Sequence, residues 1–285
     1  MTGRLVLVST PIGNLGDLPP RAIEALRACA LICCEDTRHS GKLLSHAGVS
    51  GVRLAVANEH TEDARASEVL ALLAGGHDVG VVTDAGTPGI SDPGMRLVAA
   101  AVRAGHIISA VPGPAALVMG LVLSGFDIGR FVFEGFLPRT GRERNDRIAE
   151  LTQERRTVVL YEAPHRVART IEDLAGACGG SRRVSLAREL TKLHEEVWRG
   201  TLDDAVAHLS AIAPRGEYVV VLEGAPAPLE ATDDTILDAL HMALRGGADR
   251  RSAIATVMSS TGANKRRVYD LALTIPRAGR HADDE

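Results

Sequence analysis

The first 126 residues alternate between short, almost wholly apolar runs and longer amphipathic ones. Leu5–Ser9, Leu31–Cys34, Val52–Ala57, Val79–Thr83 and Ile107–Val111 have the length and continuous apolar character of buried strands. Between them, Arg21–Cys29, Ser40–Ala47, Glu62–Ala74, Pro93–Ala104 and Ala115–Ser124 read as helices. The first of these is led by Pro19 and Pro20, at a position where a missing N–H is harmless. Such alternation predicts a largely parallel sheet covered by helices, with any ligand site beyond the carboxyl ends of the strands.

A second run of strands follows near Arg130: Phe131–Glu134, Thr157–Tyr161, Arg183–Ala187, Glu195–Arg199 and Tyr218–Leu222. Helices are expected near Arg142–Gln153, His165–Ala177 and Leu202–Leu209. The segment between Ala187 and Glu195 is too short for a crossover helix, so that strand pair reads as antiparallel and this half as a mixed sheet. The pattern divides the chain into an α/β domain over 1–126 and a second over 127–225, with Gly125–Gly129 as the joint. Beyond Glu223, "GAPAPLEATDD" reads as a linker that ends in a helix cap. Asp233–Arg245, Asp249–Ser260 and Asn264–Leu273 then form a small helical domain over 232–276.

Composition narrows the class. A chain of 285 residues with 45% hydrophobic content is globular, and its formal charge of -4 excludes a uniformly basic surface. His241 to His281 carry eight Arg or Lys against two Asp, which marks this end as locally basic. Two readings stand for it: a solvated helical cap, or a tether to a polyanion. Cys29, Cys33, Cys34 and Cys178 form no CxxC pair and read as buried thiols of a reducing, cytoplasmic compartment. The N-terminus runs directly into a strand, without a signal-peptide pattern. Ile107–Phe126 is uncharged over twenty residues, but its "PGP" turn divides it into a strand and a helix rather than a membrane span.

Three strands end in Gly/Pro turns: "STPIGNLGD" after the first, "TDAGTPGISDPG" after the fourth and "VPGPAAL" after the fifth. Three such turns at one end of a sheet point to a cleft where backbone approaches a ligand. None has the GxGxxG or Walker A spacing, so the pyrophosphate-binding modes those motifs serve are excluded. Asp84 and Asp92 flank the second turn. Either is placed to bond an ammonium or ribose hydroxyls, and Asp92, before Pro93, is also a helix-cap candidate. "CEDTRH" brings together Glu35, Asp36, Arg38 and His39, and "LARELTKLHEEVWRG" gathers Arg188, Glu189, Lys192, His194 and Glu195. Both clusters read as cleft walls or as ion-pair networks. His165 and Arg166 read as cleft residues or a helix cap. No GxSxG, HExxH or Cys–His arrangement is present, which disfavours covalent and metalloprotease chemistry.

The ordered set "STPIGNLGDLPPRA", "CEDTRHSGKLL", "VTDAGTPGISDPG", "VPGPAAL", "FEGFLPR", "LYEAPHR" and "LARELTKLHEE" resembles the tetrapyrrole-methylase superfamily, most closely its branch acting on small-subunit ribosomal RNA. The resemblance implies the two-domain fold of the class III S-adenosylmethionine methyltransferases, with the cofactor between the domains and no metal. It also implies a homodimer, and 2'-O-methylation of one cytidine in the decoding region of 16S rRNA within the 30S subunit. It places cofactor contacts at Pro11, Asp84, Gly86, Ile90, Ala115, Leu160, Ala187 and Gly216.

A ribose hydroxyl is a weak nucleophile, so a base or a cation facing the developing alkoxide is expected. Lys192 is the candidate cation or, in its neutral form, a base. Glu35 and Glu195 are candidate carboxylate bases, and Arg38 and Arg188 are candidate phosphate clamps. Three rivals remain: C-methylation of a tetrapyrrole, a non-catalytic RNA-binding factor, and an NAD-dependent oxidoreductase, the last lacking its glycine motif.

Overall fold

The computed structural model describes residues 2–58, 61–227 and 231–276. These fall into two compact units, 1–225 and 226–285. The larger unit holds two five-stranded sheets.

The first sheet comprises β1 (Arg4–Val8), β2 (Leu31–Cys34), β3 (Arg53–Val56), β4 (Val79–Val81) and β5 (Ile107–Val111), in the order β3-β2-β4-β1-β5. All its pairings are parallel, as the strand–helix alternation predicts. Its helices are α1 (Pro20–Ala28), α2 (Thr37–His46), α3 (Glu62–Ala74), α4 (Met95–Arg103) and α5 (Ala116–Ser124). One face packs Val6, Val8, Ile32 and Cys34 against Leu26, Leu43 and Leu44; the other packs Leu5, Leu31 and Val79 against Val69, Leu73 and Leu97. Cys29, Cys33 and Cys34 are buried as expected, and Cys178 is half-buried. Burial pushes the Cys29 and Cys33 thiols up to about 12.

The second sheet comprises β6 (Phe131–Phe136), β7 (Thr157–Glu162), β8 (Arg183–Arg188), β9 (Glu196–Thr201) and β10 (Tyr218–Leu222), in the order β6-β7-β10-β8-β9. Only β6 and β7 pair in parallel; β10 runs antiparallel to both neighbours, and β8–β9 is antiparallel. The helices α6 (Arg142–Leu151), α7 (Pro164–Cys178) and α8 (Leu202–Ala211) cover one face, over Val158, Leu160, Leu186 and Val220. The opposite face is covered by α5, whose Leu117 and Leu121 pack on Val159, Ala187, Val219 and Val221. The helix that closes the first α/β run thus forms part of the second sheet's core.

Two helix starts differ from the sequence reading by more than one residue. The α2 helix begins at Thr37 rather than Ser40, because the Asp36 carboxylate accepts from Arg38 N–H at 2.8 Å and caps the helix three residues earlier. The α4 helix begins at Met95 rather than Pro93. Gly94, at φ 131°, is its N-cap, so Asp92 does not serve as the cap. The buried Glu62 of α3 takes over that task, its Oε1 accepting from Gly94 N–H at 3.0 Å and Leu97 N–H at 2.9 Å.

The smaller unit contains α9 (Asp233–Arg245), α10 (Arg250–Thr261) and α11 (Lys265–Thr274), around Ile236, Leu240, Val257 and Val268. Thr232, Asp249 and Asn264 cap the three helices with side-chain oxygens. Over Asp233–Ile275 six basic residues face five acidic ones, so the folded helices are close to neutral. The basic excess read from His241–His281 depends on Arg277 and Arg280, which lie outside the described residues, and leaves out Asp233, Asp234 and Asp238. Part of the linker reading, over 228–230, also lies outside the described residues. Among the described residues no helix is long and apolar enough to cross a membrane.

Candidate active site

The three Gly/Pro turns at the carboxyl end of the first sheet are bonded to one another. Thr10 and Gly86 exchange backbone hydrogen bonds, at 2.8 Å and 3.1 Å, joining the turn after β1 to the turn after β4. Gly86 holds φ at +90°, a conformation L side chains rarely adopt. The Thr87 hydroxyl donates to Pro114 C=O at 3.2 Å and lies 3.1 Å from the Ser9 hydroxyl, which ties in the third turn. The result is a rigid wall made largely of backbone.

Facing this wall is the edge of the second sheet where β7 and β8 end. Because β10 runs antiparallel, its first residues lie at the same edge: Tyr218 pairs with Glu162 and Arg188. The loop from Glu189 to Glu195 completes that side. Glu189 and Thr191 hold φ at 51° and 66°, so its backbone is strained, as functional loops often are. The Glu195 carboxylate accepts from Thr191 N–H at 2.7 Å and holds the loop in place. Lys192 reaches across to the first wall, where its aliphatic stem lies over Gly13. A Cβ at Gly13 would sit 2.3 Å from Lys192 Cγ.

Between the walls lies a cavity of about 320 Å³. Its floor is apolar, with Ile12, Ile90, Ala115, Ala116 and Val219. Its charged lining is Glu35, Asp84, Asp92, Glu189, Glu217 and Lys192. Lys192 Nζ donates to Glu189 Oε1 at 2.8 Å. Burial pushes the Asp92 carboxyl up to about 6; Glu35, Glu217 and Asp84 push the same way, and the Thr83 hydroxyl opposes them. Burial likewise raises Glu35, with Asp84 and Asp36 adding to the effect. Asp84 Oδ1 is buried without a hydrogen-bond partner. Tyr161 OH accepts from Leu117 N–H at 2.9 Å, which fixes the start of α5, and burial holds this phenol up at about 12. A cavity with an apolar floor, this many carboxylates and an unmatched carboxylate oxygen fits an organic cation.

Six of the residues expected at the site line this cavity: Glu35, Asp84, Gly86, Ile90, Ala115 and Lys192. Gly216 adjoins it, beside Glu189. Ala187 lies in the core beneath α5, on the cavity side of the second sheet. Leu160 points to the opposite face, under α7, because strand side chains alternate; its neighbour Tyr161 takes the lining position. Pro11 lines a neighbouring, smaller cavity. Arg38 and Glu195 are not lining residues. Arg38 folds back on Asp36, holding that carboxyl down at about 2, and Glu195 is spent on its own loop.

Two other candidates are structural. Arg188 pairs with Glu196 across the β8–β9 strands, and Arg166 pairs with the buried Glu162. The sequence reading missed Glu217 and Tyr218, which only the antiparallel course of β10 brings to this edge. Of the two readings of Asp92, the structure keeps the cleft carboxyl and not the helix cap. Among the described residues no group of three His, Cys, Asp or Glu is placed to hold a metal ion.

The family model for tetrapyrrole (corrin/porphyrin) methylases matches residues 4–206. A Synechocystis protein named ribosomal RNA small subunit methyltransferase I is 43% identical over 279 residues, covering 97% of this chain and 100% of its own. A Thermotoga maritima protein of the same name is 43% identical over 222 residues, 78% of this chain and 99% of its own. The crystal structure of uroporphyrin-III-C-methyltransferase from Thermus thermophilus superposes with a TM-score of 0.54 at 21% identity, covering 77% of this chain and 94% of its own; at that identity it bears on the fold alone.

Proposed function

This chain belongs to the tetrapyrrole (corrin/porphyrin) methylase family, and from that premise we propose that it transfers a methyl group from S-adenosylmethionine to a ribose 2'-hydroxyl of a cytidine in small-subunit ribosomal RNA. The observation that carries the choice of substrate is identity of 43% along almost the whole length to a relative named for that RNA. Location in the cytoplasm, where ribosomal subunits are found, goes with this reading. The rival is C-methylation of a tetrapyrrole, which shares the fold.

The Thermotoga maritima relative bears the same name at about the length of the larger unit alone. The chemistry is therefore assigned to residues 1–225, as two α/β domains with the cofactor between them. The helices over 232–276 are assigned an accessory role.

S-adenosylmethionine, when bound, supplies an electrophilic methyl group on a sulfonium and carries an ammonium. The carboxylates of the cavity fit both positive groups, and Asp84, Gly86, Ile90 and Ala115 would hold it, with Ala187, Gly216 and the Leu160 backbone around them. Asp92 and Glu35 stand in the cavity with raised carboxyl pKa, so either is a better proton acceptor than an ordinary surface carboxylate. We assign the proton of the acceptor hydroxyl to Asp92. Lys192, steered by Glu189 and by the space at Gly13, faces the negative charge that develops on the acceptor oxygen. Alignment of the reacting groups by the two rigid walls supplies the rest.

The chain is read as a homodimer. The α5 helix is apolar on all sides, and while Leu117 and Leu121 are buried, Val118, Met119, Val122 and Leu123 are exposed together. Sedimentation of the purified protein as a monomer at micromolar concentration would remove that part of the reading.

The functional test is methyl transfer from labelled S-adenosylmethionine to 30S subunits lacking the modification, to naked 16S rRNA and to a tetrapyrrole precursor. Label in one ribose of the 30S subunit is the expected result. Label in the tetrapyrrole alone overturns the substrate and keeps the fold.

A further inference from the structure

A second cavity, of about 200 Å³, adjoins the first. Asp84 lines both. The second is walled by Pro11, Leu15 and Leu43, and its remaining polar lining includes His39 and Lys42 on α2. The helix presents these two because Asp36 caps it at Thr37, which brings its first turns to the carboxyl end of β2. Lys42 and His46 follow at an interval of four along α2, so a basic ridge runs away from the cavity, with Arg38 in line but paired with Asp36.

Resting on the reading of the chain as an RNA methyltransferase, we propose that this second cavity seats the target nucleotide. The base lies against Pro11, Leu15 and Leu43, and its flanking phosphates meet Lys42, His39 and the α2 ridge.

Three observations support this assignment. Methyl transfer needs an acceptor site that shares a wall with the donor site, and Asp84 is that wall. The space suits one pyrimidine nucleoside and is too small to enclose a tetrapyrrole macrocycle. An apolar slot with cations at its rim matches an unstacked base with its phosphates, whereas the five carboxylates of the first cavity would repel them.

The seat also explains how a nucleotide embedded in a folded subunit is reached. It must be drawn out of its stack, and a half-open apolar slot is what receives such a base.

The test uses the full chain with two variants, Lys42→Glu and Leu15→Trp. Lys42 is exposed, so reversing its charge leaves the core intact; Leu15 is 45% exposed, and the indole fills the slot from its mouth. Three quantities are measured: S-adenosylmethionine affinity by calorimetry, 30S binding by filter retention, and steady-state methylation of 30S subunits. For Lys42→Glu, KM for 30S subunits should rise by about tenfold or more with kcat little changed, the rise shrinking for Lys42→Arg. For Leu15→Trp, methylation should fall by about a hundredfold while S-adenosylmethionine affinity stays within about twofold.

Wild-type methylation of 30S subunits with both variants equal to wild type overturns the nucleotide seat and leaves the proposed function standing. Loss of S-adenosylmethionine binding in Leu15→Trp also overturns it, since the two cavities would then serve one ligand. Wild-type protein that methylates only a tetrapyrrole overturns the function and the seat together.

Discussion

Asp92 has a carboxyl that burial raises from an ordinary value of 3.8 to about 6, which gives Asp92→Asn a stability effect whose size depends on pH. The folded state holds this proton more tightly than the unfolded chain does. Folding therefore takes up a proton between about pH 4 and pH 6, and stability falls as pH rises through that window. Below it, Asp92 is neutral in both states and the amide makes little difference. Above it, the native state carries a charge in a poorly solvated place that the amide removes. The whole displacement corresponds to ~3 kcal/mol; partial access of water to the site reduces this to about 1–2 kcal/mol.

Urea denaturation of wild type and Asp92→Asn at pH values from about 4 to 7.5 measures the difference, which should grow from near zero to about 1–2 kcal/mol in favour of the variant. Trp198 is the only tryptophan in the chain and stacks on His208 in the larger unit, so its fluorescence follows that unit alone. The same variant should lose most of its methyl transfer, because the amide cannot accept the proton. A variant less stable than wild type at pH 7.5, or a difference that does not change with pH, refutes the reasoning.

Gly13→Ala should displace the stem of Lys192 and lower kcat about as much as Lys192→Ala does, by about tenfold or more, with S-adenosylmethionine affinity nearly unchanged. Equal losses of affinity and rate in either variant would show that Lys192 holds the cofactor instead. Glu62→Ala removes the acceptor for two buried N–H groups at the start of α4 and should destabilise the larger unit by about 2–3 kcal/mol in the same fluorescence assay. A change below about 0.5 kcal/mol would mean that the helix start is held by its own loop.

Much of the first sheet was legible because its strands are buried on both faces and are separated by helices with a clear period. Leu31–Cys34, for instance, was recognised to the residue. The antiparallel β8–β9 pair was legible from spacing alone. What could not be read was proximity created by strand direction. Tyr218 begins a strand and Glu217 precedes it, and sequence places strand beginnings away from a site; only the reversal of β10 between β7 and β8 brings them to it.

The start of α4 was hidden because Glu62, distant in sequence, decides it, whereas that of α2 rests on the adjacent Asp36 turning back to cap it. Of the two polar clusters singled out, each contributed only part of itself. Glu35 faces the cavity while Asp36 and Arg38 satisfy each other, and Lys192 faces it while Glu195 holds its loop. Charge density in a sequence marks a cleft edge without saying which side chain turns inward.

The central position of β10 also bears on how the protein is made. Among the described residues it is the last strand synthesised, yet it lies between two earlier ones and supplies Tyr218 and Val219, with Glu217 just before it, to the cavity. A nascent chain can complete the first sheet once residue 111 has emerged, but β7 and β8 have no common neighbour until Leu222 follows. A product that terminates early therefore keeps a folded parallel sheet with half a cleft, and synthesis must pass that residue before the protein can methylate anything.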